Sequence, residues 1–195
     1  MTQKELFLQA DAALRSVIDR IRPEQWELPM PAEWAATPDP TLRDIVAAHA
    51  RDEAWVPDVL NGRTIADAGS EYDGDLLGDD PVVAYGRLND RATRQVQAVT
   101  DLDRVVHMSY GDYPLGVYLE HISTYRAFQA WSIARRLGLE FALPASLVEL
   151  LWEWIGPQID DFRAMGVFPP EVPAPAGADR ETELLARVGY WQPAV

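Results

Sequence analysis

His49 stands inside an apolar stripe of Leu42, Ile45, Val46 and Val56, in the middle of a segment with helical spacing. An imidazole there has two readings: a core histidine satisfied by one or two hydrogen bonds, or a metal ligand or acid/base group. Glu53, one turn on, either shares that site or is a solvated helix carboxylate. Further along, Tyr125, Gln129 and Ile133 are spaced i, i+4, i+8 and project together. A glutamine in such a stripe costs desolvation unless it is paired. Gln129 is therefore an amide bridging two helices or a pocket residue facing His49. His121, two turns before Gln129 on nearly the same face, points into the helices or sits at their mouth. His107 reads as a turn or packing residue, and Trp131, Trp152 and Trp154 as core or interface aromatics.

Much chemistry is excluded by what the chain lacks. Without cysteine there is no disulfide framework, thiolate nucleophile or thiolate metal site. The glycine-rich nucleotide fingerprints, the H-E-x-x-H zinc motif and the G-x-S-x-G nucleophile elbow are all missing. Seventeen basic residues face 31 acidic ones, a formal charge of -14, which repels phosphate backbones and anionic lipid. Nucleic acid and membrane are thus not expected partners, whereas a small molecule is. The opening residues Met1-Thr2-Gln3-Lys4-Glu5 hold no apolar core of a signal peptide, and no apolar run reaches bilayer length. The expected location is cytoplasmic. Lys4 is the single lysine, a usage that goes with a GC-rich genome.

These residues must be positioned by helices, because strand signals are nearly absent. Thr2 and Glu5 have capping-box spacing, Ala10, Ala13, Leu14, Val17, Ile18 and Ile21 continue the helix, and Pro23 stops it. Residues 22–40, with five prolines, Trp26 and Trp34, form an ordered connection. Thr41 caps the second helix, which Pro57 should kink or shorten and Asn61-Gly62 ends. Residues 64–80 are acidic and glycine-rich, a surface loop. Asp80-Pro81 opens a third helix carrying Val82, Tyr85, Leu88, Ala92, Val96 and Val99. Arg104 to Tyr110 is a short β-prone piece, and Gly111-Asp112 a turn. A fourth helix runs from about Pro114 to Leu137, with Tyr118 and Ile122 joining the Tyr125 stripe. A fifth starts near Pro144, reaches Phe162 and bends at Pro157, and a last one spans roughly Arg180 to Arg187. The expected class is all-α: four main helices over residues 1–140 and a helical extension over 141–195, packed as one unit.

Three stretches resemble the DinB-like helical bundles, and within them the mycothiol-dependent maleylpyruvate isomerase group common in actinobacteria. They are WAATPDPTLRDIVAAHARDEAW from Trp34, VVHMSYGDYPLGVYL followed by YRAFQAWSIARRLG, and the closing ETELLARVGYWQP. The second is similar to the family segment that ends in His-x-Trp-Asp-Leu-Ala. The resemblance implies an up-and-down four-helix bundle. It also implies a divalent metal, zinc or nickel, held by an early histidine and by a carboxylate and a histidine one turn apart on a later helix, and a low-molecular-weight thiol as co-substrate. Carried over residue by residue, the early histidine is His49. With Trp131 on the family tryptophan, Gln129 takes the later histidine position, Tyr125 the carboxylate position, and Ser132 stands where the family has Asp. One metal ligand of three, His49, remains; a neutral amide and a phenol are poor substitutes.

Three functions follow from these readings. The first is a metal-poor bundle whose pocket at His49, Glu53, His121, Tyr125 and Gln129 binds a small molecule. The second is a divalent-metal- and thiol-dependent isomerase or transferase. The third is a structural or regulatory homodimer.

Overall fold

Helix-capping chemistry written into the sequence sets most of the element starts. In a computed structural model that describes residues 2–35 and 37–191, the Thr2 amide donates to the Glu5 carboxylate (2.7 Å) and the Glu5 amide to the Thr2 hydroxyl (3.3 Å). This opens helix α1, Gln3–Ile18. Thr41 and Asp44 close the same reciprocal box at the head of α2, Leu42–Leu60. The Thr41 amide bond is the main reason the Asp44 carboxyl titrates below its usual value. Thr64 and Asp67 repeat the box before the four-residue α3, Ile65–Ala68. Asp80 caps α4, Pro81–Gln97, with proline at its first position. The hairpin β1 (Val105–Met108) and β2 (Gly111–Pro114) follows, and then α5 (Leu115–Arg136), α6 (Ala145–Trp154), α7 (Ile159–Ala164) and α8 (Arg180–Arg187).

The described residues are thus mainly helical, with one two-stranded antiparallel sheet. None of their helices is long and apolar enough to cross a membrane. Gln192 and Pro193 of the closing stretch, and Ala36 of the first, lie outside the described residues.

Four local expectations need correction. Pro57 does not shorten α2, which runs on to Leu60; the ring only withdraws the N–H that the helix would offer to the Glu53 carbonyl. Pro157 goes further than a bend, dividing α6 from α7 with a 3-10 turn over Gly156–Gln158. The hairpin turn is Ser109-Tyr110, because Met108 pairs with Gly111 and His107 with Asp112, so Gly111 and Asp112 belong to a strand. Residues 64–80 are more than a loop: they include α3 and a segment tied to α2, with Leu77 wholly buried. The connection over residues 22–40 is ordered as expected. The Met30 amide donates to the Pro40 carbonyl (2.8 Å), Leu42 to Leu28 (2.9 Å) and Arg43 to Trp26 (2.9 Å), over a buried Trp26.

The chain divides into two compact units, Leu14–Tyr118 and Met1–Ala13 with Leu119–Val195. The expected boundary near residue 140 lies inside the second of these. In the first unit α2 packs on α4 and on β1. Leu42, Ile45, Val46, Val56, Tyr85, Ala92 and Val96 are buried there without exposure. In the second unit α6 packs on α8. An aromatic series of Phe162, Phe168, Phe128 and Tyr190 runs through it with ring centroids 5.3 to 5.9 Å apart. Burial raises the Tyr190 phenol above its usual pKa. Near Arg126 in α5, the chain also buries a full ion pair: Arg126 Nη1 meets Asp11 Oδ1 at 2.7 Å, and the guanidinium lies 4.7 Å from the centre of the Phe7 ring.

Candidate functional site

His49 and Glu53 are both 0 % exposed, one turn apart on the face that α2 turns toward α4. Across from them α4 presents a second pair with the same spacing, Tyr85 and Asn89, also buried. The Tyr85 hydroxyl donates to Glu53 Oε1 at 3.0 Å, and Asn89 Nδ2 donates to the same oxygen at 3.3 Å. Packing two amphipathic helices would ordinarily fill such positions with apolar side chains. A buried carboxyl instead costs several kcal/mol (~3 or more) of desolvation, offset only where donors reach it. The four residues form a polar layer in the helix pair that can recognise a ligand by hydrogen bonding and exchange a proton through the imidazole or carboxyl.

A divalent metal fits this layer poorly. His49 and Glu53 are suitable donors, but among the described residues no group of three or more histidine or carboxylate side chains gathers as a metal site would need. The Glu53 oxygen seen to be engaged is committed to two α4 donors.

The other expected site residues, His121, Tyr125 and Gln129, lie on α5 in the unit that includes Leu119–Val195. That helix is buried over most of its circumference. Tyr125 lies on its least buried side and is 37 % exposed, so the inward stripe breaks at Tyr125, although Tyr118, Gln129 and Ile133 are buried. His121, half-buried one turn earlier, meets the Phe162 ring edge-on at 5.8 Å, and burial holds its imidazole below the usual pKa. Gln129 is 5 % exposed, and its Oε1 has no hydrogen-bond partner among the described residues. The amide is therefore not the satisfied bridge of the simpler reading.

The remaining aromatics and His107 take structural positions. Trp152 donates to the Arg180 carbonyl (3.2 Å) beneath the Arg180 guanidinium, and Trp131 lies under Arg135. His107 pairs with Asp112 across the hairpin at 2.8 Å. A shallow cleft of about 190 Å³ at the C-terminal ends of α2 and α4 is lined by Asn61, Gln95, Thr100 and Arg104 among others, and by none of the expected site residues.

Sequence reasoning missed two features. Helical periodicity puts Tyr85 in an inward stripe without marking its hydroxyl as a polar contributor, and the one usable signal for Asn89 is its position one turn after Tyr85. Asp11 and Arg126 gave less warning, because each residue type is ordinarily a surface residue and the partner lies 115 positions away. No family model, curated protein or solved structure matches the chain.

Proposed function

We propose that this chain is a DinB-like up-and-down four-helix bundle protein of the maleylpyruvate isomerase-like kind, whose polar interior near His49 binds a small molecule with little or no bound metal. The observation that carries the reading is the buried Glu53 carboxyl, held by Tyr85 and Asn89 one turn from a buried His49. An apolar layer of equal volume would make a helix pair at least as stable. Retaining four polar side chains there is the pattern of a site with a chemical task. The acidic surface favours a small ligand over a polyanionic partner.

The test is a thermal-shift screen of low-molecular-weight thiols and aromatic acids, run beside metal analysis of protein purified without chelator. The expected result is a raised melting temperature with at least one compound, lost in His49→Ala, and metal well below one equivalent. Tight stoichiometric zinc or nickel would favour the divalent-metal- and thiol-dependent isomerase or transferase. A screen in which nothing shifts the wild-type protein would favour the structural or regulatory homodimer.

A further inference from the structure

The segment between α3 and α4 is laid along the outer side of α2 in a defined register. Its carboxylates fall at every second position, Glu71, Asp73 and Asp75, and each is received by a different arginine. Glu71 meets Arg63 (3.1 Å), Asp73 meets Arg51, and Asp75 meets Arg43 (2.9 Å), whose guanidinium also donates to the Gly78 carbonyl (2.8 Å). Partner numbers fall from Arg63, just past the end of α2, to Arg51 and Arg43 within it as numbers rise along the segment, so the two run antiparallel. Between the ion pairs Tyr72 tilts against Trp55, with centroids 5.8 Å apart, and its hydroxyl donates to Asp58 (2.8 Å).

The ends of this segment differ from its middle. Gly69, at φ +55°, forms its near end with open space around it, and Leu77, wholly buried, pins the far end. Between them Tyr72 and Leu76 are half-buried and every other residue is exposed. Little apolar area therefore holds residues 70–76 down. Apart from the Tyr72 contacts with Trp55 and Asp58, what remains is ionic, and both members of the Arg51–Asp73 pair are about half exposed, the setting in which salt screens an ion pair most.

We propose that residues 70–76 are an ionically latched strap that opens as ionic strength rises, hinged at Gly69 and anchored at Leu77, and that its opening uncovers Trp55 and the Arg43 and Arg51 guanidinium groups of α2. The motion is local. It leaves the packed α2–α4 face intact, because Arg51 and Trp55 lie on the opposite side of α2 from His49 and Glu53, and Arg43 lies on its flank.

Amide hydrogen exchange on the full chain tests this, since the Glu71 and Asp73 amides are bonded to the Ala68 and Ser70 carbonyls only while the segment is ordered. Raising salt to about 1 M shrinks the screening length to about 3 Å. Exchange over 70–76 should then accelerate about threefold or more, with α2 and α4 unchanged. Arg51→Asp should give the same acceleration at low salt, by about the factor expected for one lost exposed pair. Adding Asp73→Arg to that variant should restore slow exchange. A strap whose exchange ignores salt, an Arg51→Asp variant that exchanges like wild type, or acceleration shared equally by α2 and α4 would each overturn the proposal.

Discussion

Glu53 receives both of its α4 donors on one oxygen, so loss of either donor is felt at a buried acceptor. Tyr85→Phe keeps the ring and removes only the O–H. It should lower unfolding free energy by about 1–3 kcal/mol, measured by urea denaturation. The Asp11–Arg126 pair is the more severe case, with side chains 1 % and 0 % exposed. Asp11→Ala leaves a guanidinium that cannot neutralise itself, and should cost about 3–5 kcal/mol. Asp11→Leu combined with Arg126→Met removes both charges and should recover much of that loss; a double variant as unstable as the single one would show that the pair contributes more than mutual neutralisation. His121 supplies a pH dependence. Its imidazole titrates below 6.5 because burial disfavours the cation, so the unfolded chain binds the proton more readily. The histidine's contribution is therefore intact above pH 6.5 and declines as pH falls through that value toward the lowered one. His121→Gln should flatten this part of the stability profile. Glu120, raised by burial, acts with the opposite sign, favouring the fold at low pH and losing that effect as pH rises past 4.5. Comparing His121→Gln with wild type at each pH isolates the histidine.

Two glycines show how differently elements tolerate a methyl group. In α4 a Cβ on Gly86 would overlap the Arg15 guanidinium, the far end of a flexible side chain that can swing away. Gly86→Ala should stay within about 1 kcal/mol of wild type, since the helix gains roughly what the Arg15 contacts lose. After α8, Gly189 has φ +81° and a Cβ there would run into the Pro170 carbonyl, which is backbone. Gly189→Ala should cost at least about 1–2 kcal/mol from the left-handed conformation alone, and thermal melting of the two variants side by side checks the contrast. The same division between local and distant causes explains which elements could be read from residues alone. Thr41 with Asp44, Asp80 with Pro81, and the limits of α8 at Arg180 and Arg187 depend on neighbours in sequence, and all were legible. The ordered segment over 70–76 was not, because its acidic glycine-rich composition describes a loop and its order comes from arginines 8 to 32 positions away. At the candidate site the inward placement of His49 was legible from periodicity. The engagement of Glu53 was not, because a carboxylate at that position is ordinarily solvated and its donors lie on another helix.

At the scale of the whole molecule, 31 acidic residues against 17 basic ones govern what the surface meets. The protein should be retained by an anion exchanger and pass through immobilised heparin even in dilute buffer; retention on heparin would reveal a basic surface that the net charge conceals. The division of the chain bears on a different matter, the order in which the molecule can be made. One compact unit is a single run, Leu14–Tyr118, while the other joins Met1–Ala13 to Leu119–Val195. On a ribosome adding about 5–20 residues each second, the continuous unit is complete while much of the second has yet to be synthesised. The first turns of α1, with Asp11 among them, must wait several seconds for Arg126 to emerge 115 residues later. Until then Leu6, Phe7 and Ala10, fully buried in the finished fold, have no Leu119–Val195 segment to cover them, so the start of α1 is an apolar face waiting for its other half. The positive partner, which could not be buried alone, arrives second.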